Sequence, residues 1–302
     1  MTLLRLAHCS DPHLHFAAPS PRLGERWPSK RSLSRLSWAR GRARLQSPQV
    51  LALAMADLRA QAPDHVLVSG DLTNFSLPGE FENAARWLAE LGSTQTLSVI
   101  PGNHDALVPV PWEQGLAHWQ GWMQGDAPAT EPFPYLRVRR GVALIGLSSA
   151  IPTAPGLAGG RLGEAQLQRL ETLLIELRAR GLCRVITLHH PPADGVVSAR
   201  KALWDRAQFR AVLARQGAEL VLHGHSRDSR FDPLSGPAGL ILNLGLPSVS
   251  ALPNPKDEGA RWQLLEFGGE PGRWRLRVTV RAYNAERAAF EQAGAYSLTL
   301  NT

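Results

Sequence analysis

The sequence predicts an α/β layered sandwich, and three observations predict it. Short apolar runs alternate with amphipathic runs along most of the chain. Hydrophobic residues make up 44% of the 302 residues, enough for a sizeable core and too many for a disordered chain. No internal repeat and no long linker divides the sequence, so a single domain spanning 1–302 is expected.

Six apolar runs read as strands: Leu3–Cys9, His65–Ser69, Leu97–Ile100, Val142–Leu147, Arg184–His189 and Glu219–His223. Helical patterns lie between them, at Pro48–Ala62, Gly79–Leu91 and Glu164–Arg180. In the last of these Leu167, Leu170, Leu173, Leu174 and Leu177 line one face. The C-terminal region changes character. Trp262–Phe267 and Trp274–Tyr283 alternate as strands around Gly268, Gly269, Pro271 and Gly272, predicting a C-terminal β-hairpin at about 261–283.

Composition excludes several classes. No apolar run approaches the roughly 20 residues of a membrane span. The stretch Met1–Cys9 lacks a basic leader and a small-residue cleavage site, so no signal peptide is expected. Two cysteines, Cys9 and Cys183, sit in strand-like runs, which argues against a structural disulfide and for a cytoplasmic location. The formal charge is +7, and the cations are nearly all Arg, with Lys only at 30, 201 and 256. Arg suits phosphate because its planar fork binds two oxygens at once. Arg usage and solubility explain the charge equally well, and charge alone does not choose among nucleic acid, nucleotide and lipid.

Five short clusters share one design, an apolar strand turning into a polar loop. They are Ser10-Asp11-Pro12-His13, Gly70-Asp71-Leu72, Gly102-Asn103-His104-Asp105, His189-His190-Pro191 and His223-Gly224-His225. Taken singly, each has an ordinary explanation as a cap, a turn acid, loop punctuation or a core histidine. Together they put carboxylate, imidazole and amide oxygen at successive strand ends, where ligand groups of α/β sheets converge. That donor mixture suits Mn, Fe, Zn or Ni, and the lack of thiolates excludes a zinc finger.

The ordered set resembles the calcineurin-like metallophosphoesterases, in particular the bacterial branch of cyclic-nucleotide and glycerophosphodiester phosphodiesterases. That family's pattern is D-x-H, GD, GNHD, HHP and GHxH, and the likeness runs from the first strand to about residue 250. The resemblance implies a four-layer α/β/β/α sandwich and a metal-dependent phosphohydrolase, most naturally a phosphodiesterase using an activated hydroxide. Phosphomonoester and nucleotide or lipid pyrophosphate substrates stay open. It implies two divalent or trivalent transition metals, with Mn, Fe or Zn favoured. Asp11 and His13 would bind the first, Asp71 would bridge both, and Asn103, His189 and His225 would complete the second. The first His of the pair is the expected ligand, which places His190 second. His104 would act at the leaving oxygen, and Asp105 would orient or tune it.

One position departs from the pattern. Arg227 stands where the family has its last His, and a guanidinium cannot be a neutral ligand. Three consequences compete: a first metal site left weak or empty, Arg227 working on the substrate phosphate, or a degraded site serving as a scaffold. His223, two residues before His225, reads as a core residue rather than a substitute ligand.

A basic insertion at about 17–48 carries Arg22, Arg26, Lys30, Arg31, Arg35, Arg40, Arg42 and Arg44 against the single acid Glu25, with Trp27 and Trp38 interleaved. It reads as an ordered flap over the site or as a mobile arm. Arg40, Arg42, Arg44 and Arg227 are the expected substrate-binding cations. The same segment leaves peripheral contact with an anionic membrane open, and nucleic-acid binding open but not favoured.

Overall fold

The computed structural model describes residues 2–17, 29–254 and 258–300. Arg22, Glu25, Arg26, Trp27 and Lys256 lie outside them. In chain order the elements are β1 (Thr2–Cys9), α1 (Lys30–Ser37), α2 (Ala43–Leu45), α3 (Pro48–Ala60), β2 (His65–Val68), α4 (Pro78–Leu91), β3 (Leu97–Val99), β4 (Tyr135–Arg139) and β5 (Val142–Gly146). They continue with α5 (Glu164–Ala179), β6 (Cys183–Thr187), α6 (Arg206–Gln216), β7 (Leu220–His223), β8 (Arg230–Phe231), β9 (Leu234–Gly236), β10 (Gly239–Gly245), β11 (Arg261–Glu270), β12 (Arg273–Asn284) and β13 (Ala289–Leu300).

Two sheets stack face to face. One runs β13-β12-β11-β1-β2-β3, and the other β4-β5-β6-β7-β10-β8, with β9 paired to β10. Strands β1, β2 and β3 are parallel, as are β5, β6, β7 and β10, so within each sheet the loops after these strands emerge at one end. Strand periodicity sorts the side chains into three cores. On β1, Leu4 and Leu6 pack between the sheets with Leu67, Leu144, Val185, Leu222 and Phe267. Ala7 and Cys9 point the other way, against Val50, Ala54 and Leu58 of α3 and Phe81, Ala84 and Leu88 of α4. On the far side, Leu170, Leu174 and Leu177 of α5 and Phe209 and Leu213 of α6 cover Ile145, Ile186 and Val221. The result is a four-layer α/β/β/α sandwich.

The helices begin where local chemistry favours them. Pro48 and Pro78 occupy first turns, where a missing N–H costs nothing. The Ser47 hydroxyl accepts from Val50 N–H at 3.3 Å, and Glu80 folds back to accept from Leu77 N–H at 2.9 Å. Among the described residues no helix is long and apolar enough to cross a membrane.

The C-terminal hairpin is larger than expected. β13 extends it to an antiparallel three-stranded meander, and β11 joins it to β1 along the sheet. The described part of the insertion is helical: α1, a π-helical turn at Trp38–Arg42, then α2. It is tied to the loop after β2 by Arg31, which donates to the Phe75 and Ser76 carbonyls at 3.0 and 2.7 Å, and by Ser34, which donates to Asn74 O at 3.1 Å.

Candidate metal centre

The loops after β1, β2, β3, β6 and β7 carry the five sequence clusters, and the structure brings them together. Backbone hydrogen bonds join loop to loop: Asp11 N–H to Gly70 O at 3.0 Å, His13 N–H to Asp71 O at 3.0 Å, and Gly224 N–H to His189 O at 3.1 Å. Of nine non-glycine residues with positive φ among those described, five are Asp11, His13, Asp71, His225 and Arg227. Such backbone costs on the order of 1 kcal/mol or more per residue and persists where the surroundings enforce it. Gly224 is required by contact, because a Cβ there would overlap the Ser10 hydroxyl and the Asp11 carboxylate.

Two donor groups result, each with its ligand atoms within 4.8 Å of one another: Asp11, His13 and Asp71, and Asp71, His189 and His225. Asp71 belongs to both. His13 Nε2 lies 3.9 Å from Asp11 Oδ1 and 3.9 Å from Asp71 Oδ2. His189 Nε2 lies 3.4 Å from Asp71 Oδ2 and 3.3 Å from Asn103 Oδ1, which adds Asn103 to the second group. Neighbouring carbonyls select the tautomers. His189 Nδ1–H donates to Ser69 O at 2.7 Å, leaving Nε2 to face Asp71. His225 Nε2–H donates to Lys201 O at 3.0 Å, leaving Nδ1 as its lone-pair nitrogen.

The electrostatics fit a bound cation. Burial pushes the Asp11 carboxyl up to about 6, partly offset by His189 and reinforced by the charge of Asp71. Burial alone would also raise Asp71, yet His189 beside it holds it well below the usual carboxylate range. Burial alone would lower His189, and the charges of Asp71 and Asp11 hold it up instead. A proton on His189 thus neutralises carboxylates that metal ions would otherwise neutralise. His13 Nδ1 is buried without a hydrogen-bond partner. Mixed nitrogen and oxygen donors of this kind fit transition-metal ions.

His104 stands edge-on to His13, with ring centroids 5.1 Å apart. Its backbone N–H donates to Asp71 Oδ1 at 2.7 Å and its Nδ1–H to Asn74 O at 3.0 Å, so Nε2 is the free ring nitrogen. Burial, then the charge of Arg42, lowers its pKa to about 3 and keeps the ring neutral. Asp105, expected to orient or tune His104, directs its hydrogen bonds to backbone groups. Its carboxylate accepts from the backbone N–H groups of Asp71, Gly102 and Thr73, each at 2.8 Å, and His104 is oriented by Asn74 instead. Burial, then the charge of Asp71, pushes the Asp105 carboxyl up to about 7.

The remaining candidates divide. His190 has both ring nitrogens engaged, by Ser149 Oγ at 2.8 Å and Ala158 O at 3.2 Å. His223 is buried in the sandwich and belongs to neither donor group. Of the three insertion arginines, the half-buried Arg42 interacts with the charges of Asp71 and Asp11, whereas Arg40 and Arg44 are exposed. Arg227 is exposed, yet its charge is felt at His13 and at Arg42. Sequence reading missed the orienting partners at Ser69, Asn74 and Lys201, which act through backbone carbonyls and leave no residue signature.

Comparison with known proteins agrees with this geometry. The calcineurin-like phosphoesterase family pattern matches residues 4–227. A probable cyclic nucleotide phosphodiesterase from Synechococcus sp. is 30% identical over 231 residues, 75% of this chain and 80% of its own. A dimetal phosphatase from Danio rerio superposes with a TM-score of 0.60 at 14% identity, over 100% of this chain and 99% of its own. A purple acid phosphatase from yellow lupin (Lupinus luteus) seeds superposes with a TM-score of 0.61 at 11% identity, over 98% of this chain and 53% of its own. At such identities the last two likenesses establish a shared fold alone. The chain belongs to the calcineurin-like phosphoesterase family, enzymes that hydrolyse phosphoric ester bonds.

Proposed function

We propose that the protein is a phosphodiesterase whose centre is held by Asp11, His13, Asp71, Asn103, His189 and His225. The observation that carries this reading is the pair of donor groups sharing Asp71, with His104 set edge-on beside them. Mn, Fe and Zn all suit the donors. Bound there, the cations would bind a phosphoryl oxygen and lower the pKa of an attacking water. The relative described as a probable cyclic nucleotide phosphodiesterase supports a diester substrate.

The chain's own residues do the positioning. Asp71, fixed by the His104 backbone N–H and by loops braced on Asp105, keeps both donor groups in register. In hydrolysis a water gives up a proton as its oxygen bonds to phosphorus, the phosphorus–oxygen ester bond breaks, and the departing alcohol oxygen takes up a proton. His104 presents Nε2 for that proton. Burial and Arg42 hold the ring neutral in the free protein, and an anionic phosphate beside it favours the protonated form. Arg42 and Arg227 supply positive charge for the phosphate.

The test is a substrate comparison on metal-reconstituted protein, using bis(p-nitrophenyl) phosphate, p-nitrophenyl phosphate and a cyclic nucleotide. The expected result is higher kcat/KM for the diesters, abolished by chelation. Equal or better turnover of the monoester would overturn the diesterase assignment.

A further inference from the structure

The two halves of the centre are unequally furnished. The second has four donors, Asp71, Asn103, His189 and His225, while the first has Asp11, His13 and the shared Asp71. Two cations from separate segments, Arg42 and Arg227, bear on the first half through their charge at His13. Arg42 leaves the π-helical turn with its guanidinium 5.7 Å from the Trp38 ring, and Trp38 packs edge-on against His15 and Phe75, at 5.2 and 6.0 Å. This aromatic stack anchors the turn to the loops that carry His13 and Asp71. Among the described residues the Nε of Arg42 is buried without a hydrogen-bond partner. Arg227 follows the ligand His225 by two residues, in left-handed backbone with φ of 68°.

The two charges bear on the same candidate ligand and on each other. After burial, Arg42 is the largest influence lowering His13, and Arg227 acts in the same sense. Burial lowers the Arg42 pKa to about 10, with Asp71 opposing the fall and Arg227 adding to it. Two guanidiniums beside an incomplete ligand set weaken a metal there by like-charge repulsion. The same two forks, each with rigid donors, are suited to an anionic oxygen.

We propose that the two cation positions are unequal: one metal is held tightly by Asp71, Asn103, His189 and His225, and at the first position Arg42 and Arg227 together take the phosphate oxygen that a second tightly held metal would otherwise bind. The proposal rests on the phosphohydrolase reading. It gives the two non-bridging oxygens of a phosphodiester different partners, one the metal and the other the arginine pair. It also assigns the basic insertion a role in the site itself, through Arg42 rather than through the exposed Arg40 and Arg44.

Metal and phosphate titrations test it without relying on turnover. Chelator-stripped protein is titrated calorimetrically with Mn²⁺, and the one-metal form is then titrated with inorganic phosphate. The expected result is one tight equivalent and a second at least about a hundredfold weaker, since even a ligand's hydrogen-bond partner is worth about ten- to a hundredfold in metal affinity. Arg227→His should tighten the second equivalent at least tenfold. Arg42→Ala should weaken phosphate binding about tenfold or more while leaving the tight equivalent unchanged, and Arg42→Lys, which keeps the charge but loses the fork, should fall between. Two equally tight equivalents in the unmodified protein would overturn the proposal. So would phosphate affinity indifferent to both Arg42 and Arg227. Absence of any tight metal would instead remove the phosphohydrolase reading on which the proposal stands.

Discussion

Replacing Asp105 tests whether this residue braces the centre or acts in its chemistry. The Asp105 side chain is buried and accepts three backbone N–H bonds, from Asp71, Gly102 and Thr73, all at 2.8 Å. Asp105→Ala leaves three buried donors without an acceptor, each costing about 1–3 kcal/mol. Some loop relaxation and water entry will offset this, so the expected loss is about 3–5 kcal/mol. That is a large part of the ~5–15 kcal/mol that holds a typical domain. Asp105→Asn keeps one acceptor oxygen and should lose about 1–3 kcal/mol. The assay is urea unfolding of chelator-stripped protein at pH 8, above the raised Asp105 pKa of about 7, so that metal binding does not enter the comparison. An Asp105→Ala variant within about 1 kcal/mol of the parent, yet catalytically dead, would refute the bracing role and restore a direct role in catalysis.

Three further outcomes follow from the same geometry. Glu219 forms a buried pair with Arg184, Oε1 to a terminal guanidinium nitrogen at 2.6 Å, just before β7 and at the opposite end of the strand from His225. Glu219→Ala should cost about 3–5 kcal/mol in urea unfolding with metal stoichiometry unchanged, and a loss below about 1 kcal/mol would contradict the pairing. His104→Ala should keep metal but lower turnover by about a hundred- to ten-thousand-fold for alkyl leaving groups, less for p-nitrophenyl, and an equal fall for both would assign His104 to phosphate positioning rather than proton donation. Metal binding should release a proton, because Asp71 and Asp11 hold the His189 pKa above its ordinary value and a ligand nitrogen must be bare. Affinity should therefore fall as pH drops, and calorimetry in buffers of different ionisation enthalpy counts the proton; none released would mean His189 is already neutral.

Strand alternation and helix spacing made most of the fold legible. Leu4 and Leu6 against Ala7 and Cys9 already separate two faces, and the parallel strands β1, β2, β3, β5, β6 and β7 ran to within a residue or two of the expected bounds, whereas the parallel β10 was not expected. β13 escaped notice because its apolar positions are interrupted by Glu291, Gln292 and Gly294, and an edge strand with one exposed face does not need a strict pattern. α6 is rich in Arg and buries Phe209, Val212 and Leu213, a short stripe on an otherwise polar helix. The candidate donors were legible because each follows a strand, and Asp11, His13, Asp71, His189 and His225 gather at one centre. The task of Asp105 was not, since its partners are backbone N–H groups that any sequence supplies. Nor did the cation count of the insertion distinguish Arg42 from Arg40 and Arg44; their separation depends on the turn at Trp38–Arg42 and on the Trp38 stack.

The central claim is that a metal centre organised by Asp71 hydrolyses a phosphate ester. The most direct measurement replaces Asp71 with Ala and follows metal content and bis(p-nitrophenyl) phosphate turnover on one preparation. Asp71 is the residue common to both donor groups. The account predicts that bound metal falls and that turnover drops to the chelated background. Turnover close to the parent's with metal content unchanged would contradict it.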